Sequence, residues 1–122
     1  VTYRTYQGDV DDPGSMAWYD RNSSNSTYKV GLKAVNPWGM YDMLGNVLEW
    51  CMDWYGSYPA EDVLLGHVVD HVRQKGGSNR VCRGGSWSRY ALHCRSAFRI
   101  DCSPELSYSS LGFRLRAKIS GE

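Results

Sequence analysis

Two runs of alternation constrain this chain more than any other feature. Over residues 111–119, Leu111, Phe113, Leu115, Ala117 and Ile119 alternate with Gly112, Arg114, Arg116 and Lys118, the period of a strand with one buried face. Over residues 47–55, Leu48, Trp50, Met52 and Trp54 fall on one side, and Val47, Glu49, Cys51, Asp53 and Tyr55 on the other. A third strand is predicted over 80–87, interrupted by Gly84-Gly85, where a bulge or a close backbone approach is expected. Residues 1–37 are polar and rich in turn formers, with one short helix predicted over 15–21 and Ser15 as its N-cap. Residues 56–79 make a long connection containing Pro59, Gly66 and Gly76-Gly77-Ser78-Asn79. These signals predict an α+β domain of a few short antiparallel strands with much irregular chain. No internal repeat is visible.

A chain of 122 residues makes one domain with a modest core. Five Trp and nine Tyr, set among 13 Gly, favour a loop-rich fold held by large rings rather than aliphatic layers. The net charge of +1 is spread without like-sign runs, which gives no footprint for nucleic acid or an anionic membrane. No apolar stretch approaches the roughly 18 residues that span a bilayer, so no membrane insertion is expected of this segment. No charged-then-apolar leader precedes Val1, and no signal peptide is read. Cys51, Cys82, Cys94 and Cys102 lack C-x-x-C spacing; two disulfides and four free thiols both remain open. Asn22 and Asn25 each begin an Asn-x-Ser/Thr pattern, read as incidental in so Asn/Ser-rich a loop.

Three blocks carry a family resemblance. The first is Asn36-Pro37-Trp38-Gly39-Met40-Tyr41-Asp42-Met43-Leu44-Gly45-Asn46-Val47-Leu48-Glu49-Trp50, followed by Asp53-Trp54-Tyr55-Gly56. The second is Arg80-Val81-Cys82-Arg83-Gly84-Gly85-Ser86-Trp87. The third is Cys94-Arg95-Ser96-Ala97-Phe98-Arg99 with Leu111-Gly112-Phe113-Arg114-Leu115. In order and spacing they resemble the formylglycine-generating-enzyme, or sulfatase-modifying-factor, family over roughly residues 28–118. The resemblance implies a variant of the C-type lectin fold. Because family domains commonly run to about twice this length, it also implies that residues 1–122 are the C-terminal part of one such domain, with the N-terminal half absent or on another chain. It further implies a calcium ion held by the side chains of Asp42 and Glu49 and the carbonyls of Gly45 and Val47, a hard oxygen set suited to that ion. The alternative is that Asp42 and Glu49 cap turns and pair with Arg83 or Arg95.

The family's oxidation chemistry resembles copper-dependent use of two cysteines, the first lying two residues beyond the aromatic of the second block. That position here is Arg89, and the next thiol, Cys94, aligns with framework. A cuprous site needs two neighbouring thiolates, which Cys94 and Cys102 provide only if the chain between them folds back. The related iron-dependent enzymes use histidines; His67, His71 and His93 are the three here, and His67 and His71 lie in an unpatterned loop. No catalytic residue is assigned, and no enzymatic activity is expected.

Residues 88–110 contain no Asn, although this stretch is often Asn-rich in the family. Apart from the framework-like Ala91, Cys94–Ala97, Arg99, Pro104 and Glu105, the positions are Ser88, Arg89, Tyr90, Leu92, His93, Phe98, Ile100, Asp101, Cys102, Ser103, Leu106, Ser107, Tyr108, Ser109 and Ser110. Each is encodable by a codon with two free bases and a third-position pyrimidine, and Gln, Lys, Glu, Met and Trp, which are not, are absent from them. The pattern resembles the variable proteins of diversity-generating retroelements, in which adenines of Asn codons are randomised. The resemblance implies a ligand-binding surface, a protein or glycan partner on a cell or virus, and a location at a cell surface or on a virion. Trp87, Ala97, Arg99, Pro104 and Phe113 are expected to hold the backbone, and Phe98 is the aromatic expected to turn inward.

Overall fold

The computed structural model describes residues 3–5, 8–10, 12–58 and 76–117. Strands β1 (Tyr3–Thr5) and β2 (Gly8–Val10) form a separate antiparallel pair. The main sheet contains β3 (Leu48–Trp54), β4 (Arg80–Arg83), β5 (Arg99–Cys102) and β6 (Leu111–Gly112) in the order β5-β4-β3-β6. Both β3–β4 and β4–β5 are antiparallel, whereas β6 runs parallel to β3, so the sheet is mixed rather than purely antiparallel. Helix among the described residues is confined to two 3-10 turns, Pro13–Ser15 and Ala91–Cys94.

The predicted 15–21 helix is absent. The chain instead makes its turn at Pro13-Gly14-Ser15, where Pro13 supplies the preset φ and Asp12, not Ser15, caps it by accepting from the Gly14 amide at 2.8 Å. Trp18 then bridges to Gly45, and Met16, Ala17 and Tyr19 turn into the core with Leu44, Ala91 and Cys94. A second cluster under the sheet joins Leu48, Cys82 and Cys102, flanked by Trp50, Ile100 and Leu111.

Strand β3 starts where its alternation predicts, but the pattern fails midway. Trp50 faces Cys82 while Trp54 faces Arg80, so β3 spends four residues where β4 spends two. This irregularity turns Met52 outward, to 81% exposure, although it shares a predicted face with buried Leu48. The predicted closing strand is shorter still. Only Leu111 and Gly112 pair with β3; Phe113 and Leu115 are exposed, and residues 118–122 lie outside the described chain. The chain leaves the ladder as Arg114 donates to the carbonyls of Tyr41 and Asp42 at 3.1 and 3.0 Å.

The first two sequence blocks are tied by their backbones. The Gly45 amide donates to Gly84 O at 2.6 Å, the Asn46 amide to Trp18 O at 2.8 Å, and the Trp87 amide to Asn46 O at 2.8 Å. Asn46 is buried, and its side-chain amide closes on Tyr28 through both a donor and an acceptor bond. Ser23, also buried, donates to Trp87 O at 2.8 Å. The buried side chains of Asn46 and Ser23 are tolerable in so small a core because these bonds pair them.

Candidate binding surface

Residues 86–111 lead from β4 through the edge strand β5 to β6, and their backbone is held by main-chain bonds. Arg89 donates to Ser86 O and accepts from the Asp20 amide. His93 donates to Tyr90 O, Phe98 to Arg95 O, Leu106 to Ser103 O and Leu111 to Tyr108 O. Ser110 O receives the Leu48 amide at 2.8 Å, anchoring the far end to β3. None of these bonds depends on side-chain identity, so side chains there can change while the path persists.

Of the fifteen positions marked in the sequence, Ser88, Arg89, Tyr90, Leu92, Asp101, Leu106, Ser107, Tyr108 and Ser109 are exposed. His93, Phe98, Ile100, Ser103 and Ser110 are half-buried. Cys102 is a correction: it packs against Leu48 and Cys82 at 8% exposure and belongs to the core. The supposed framework also divides. Ala97, Pro104 and Phe113 are exposed, while Ala91 and Cys94 carry the buried support.

The marked positions form two features. One is a cavity of about 240 Å³ whose walls, apart from Leu48, all come from them: Ser88, Arg89, Ile100, Asp101, Cys102, Ser103, Tyr108 and Ser110. Asp101 is steadied there by Asn79, which donates to its carboxylate at 2.7 Å. The other is a strip of rings. His93 lies 4.5 Å from Phe98 and 6.1 Å from Tyr90, centroid to centroid. Phe98 is thus half-buried against His93 rather than turned fully inward. Burial, and then the charges of Arg89 and Arg95, hold the His93 imidazole below its usual pKa. Large rings, one cation, one carboxylate and several hydroxyls on a fixed backbone suit recognition by contact.

The thiols are arranged otherwise. All four cysteines are free. Cys94 sits in the Met16–Leu44 cluster and Cys102 in the Leu48–Cys82 cluster, so they do not form a pair. Burial pushes the Cys94 thiol up to about 12, away from the thiolate that metal binding or nucleophilic attack requires. The thiols that do meet are Cys82 and Cys102, on adjacent strands two register steps apart, and burial raises the Cys82 thiol as well. That neighbourhood has no sequence signature, because it depends on strand register. His67 and His71 lie outside the described residues.

Asp42, Gly45, Val47 and Glu49 do come together, lining a cavity of about 360 Å³ with Arg114. Asp42 takes the left-handed conformation at φ 53°; its Oδ2 accepts from the Gly31 amide at 2.8 Å, and its Oδ1 is buried with no partner among the described residues. Both Glu49 oxygens accept from Arg114, rather than from Arg83 or Arg95. That bidentate bond holds the guanidinium above its usual pKa. The oxygen chemistry and the orphaned Oδ1 fit a hard cation. Glu49 reaches such a cation only by leaving, or sharing, its guanidinium.

A curled mixed sheet that carries long irregular segments matches the C-type-lectin-like fold. The chain belongs to the sulfatase-modifying factor enzyme 1-like domain family, whose model matches residues 3–119. It is 38% identical over 93 residues to the formylglycine-generating enzyme of Streptomyces coelicolor, covering 73% of this chain and 28% of that protein. It is 39% identical over 85 residues to the serine/threonine-protein kinase pkn1 of Chlamydia pneumoniae, covering 70% of this chain and 14% of that protein. The chain therefore spans less than a third of either relative. Among solved structures, Treponema denticola variable protein 1 superposes with a TM-score of 0.70 at 36% identity, over 85% of this chain and 37% of its own.

Proposed function

We propose that this chain is a noncatalytic binding module that displays a diversified ligand-contacting surface, residues 88–110, as the variable proteins of diversity-generating retroelements do. One observation carries the reading: side chains marked by the codon pattern line a single cavity and form an aromatic strip, while main-chain bonds fix the path beneath them. The partner is a protein or glycan on a cell or virus, met at a cell surface or on a virion, and the rest of the domain comes from sequence outside these residues. A formylglycine-generating oxidoreductase is the competing reading. It requires two thiols at one cuprous ion, and the separation of Cys94 from Cys102 weighs against it.

Selection from a display library tests the reading. Randomising the nine exposed positions with pyrimidine-ended codons is expected to yield binders to an unrelated protein target, with folded variants common in the unselected pool. A pool that is mostly unfolded, or that yields no binder, contradicts it.

The same reading assigns a structural calcium ion to Asp42, Gly45, Val47 and Glu49. Calcium at a hundredfold excess over its Kd is expected to add about 2.7 kcal/mol of stability, read as a rise in Tm. Glu49→Gln is expected to remove that rise. If Tm is indifferent to both calcium and chelator, the ion is not part of this protein.

A further inference from the structure

A third concavity lies where the 38–44 loop meets β4 and the unmarked residues Arg95 and Ser96. Trp38, Met40, Met43 and Leu44 give it an almost wholly apolar lining, Arg83 and Arg95 border it, and its volume is about 200 Å³. Trp38 and Met40 are exposed at 74% and 39%. Large apolar side chains left at the edge of a concavity favour an apolar occupant.

The two cations differ. Arg83 is committed to the carbonyls of Ser96 and Phe98 and to the Tyr58 hydroxyl. Arg95 gives its Nε to Leu92 O at 3.0 Å and leaves its terminal nitrogens without a partner among the described residues. Neither guanidinium has a carboxylate partner there; the ion pair formed among these residues is Arg114 with Glu49. Two positive charges beside an apolar slot, one with donors to spare, complement an anion with an apolar tail.

We propose that this groove binds a small amphipathic carboxylate, its tail among Trp38, Met40, Met43 and Leu44 and its head on Arg95, in the field of Arg83. The volume favours a short acyl or single-ring tail over a peptide segment. None of these six residues belongs to the fifteen marked positions, so every version of the variable surface keeps the same groove. The proposal therefore stands whether or not residues 88–110 are diversified.

Sodium octanoate is the probe, titrated into the protein and followed by tryptophan fluorescence and amide NMR shifts, with octanol and acetate as comparisons. Octanoate is expected to saturate, to bind at least about fivefold more tightly than octanol, and to shift amides in the 38–44 loop and at Arg83 and Arg95. Arg95→Gln, at an exposed position, is expected to weaken octanoate about five- to tenfold and leave octanol unchanged. Trp38→Phe is expected to keep binding and lose most of the fluorescence response. Equal affinity for octanoate and octanol, indifference to Arg95→Gln in the folded variant, shifts elsewhere, or no saturable response overturns the proposal.

Discussion

Gly45→Ala is expected to destabilise the chain by about 3 kcal/mol or more, a large share of the 5–15 kcal/mol typical of a domain. Gly45 has a φ of +76°, and a Cβ there would lie 2.3 Å from the Trp18 carbonyl oxygen and 2.6 Å from its nitrogen. Those are backbone atoms, and they cannot swing aside as a flexible side chain can. The same residue donates to Gly84 O, so a shift that relieved the clash would loosen the tie between the first two blocks. Gly39→Ala is the control. Its φ is +80°, but no atom lies within 4 Å of the added carbon, so it should cost only the 1–2 kcal/mol or so of a left-handed Ala. Urea denaturation of both variants separates the two contributions. Equal losses would mean that the close approach at Trp18 does not matter.

The second large effect concerns the marked positions, which are not equally free. Cys102→Arg is expected to cost more than about 4 kcal/mol, because it forces a cation among Leu48, Cys82 and Ile100. Tyr108→Arg, in the same cavity wall but 51% exposed, is expected to stay within about 0.5 kcal/mol of the parent. Thermal melts of the two variants make the comparison. A neutral Cys102→Arg would place that position on the binding surface rather than in the core.

These contrasts mark where the sequence was legible. The strands over 48–54 and 80–83 were visible because alternating large side chains and a Gly-Gly break leave a local signature. The bulge in β3 was not, because it depends on which residue of β4 faces which, and Met52 consequently turned out opposite to its pattern. The run 111–119 alternates as cleanly as a strand can, yet two residues pair; Arg114 is drawn toward Glu49 and the 41–42 carbonyls, a long-range competition invisible to periodicity. The four proposed calcium residues did converge on one cavity, and the sequence missed only the cation already beside them. For the proposed binding surface, nine of fifteen marked side chains are exposed, where substitution costs a fold least, and five more are half-buried. Cys102 fits the codon pattern and still faces inward, since small buried residues satisfy the same code. The groove at Trp38 and Arg95 left no sequence signal at all; it joins residues more than fifty positions apart.

The most direct measurement is the pattern of variation in the gene itself, sequenced with its surroundings from several isolates. The account predicts substitutions concentrated at the exposed positions of 88–110, Cys102 restricted to small residues, and a neighbouring near-copy of the segment that differs only at adenines and accompanies a reverse transcriptase. A segment that is invariant between isolates, or that varies no more than the 12–58 scaffold and has no such copy, would contradict it.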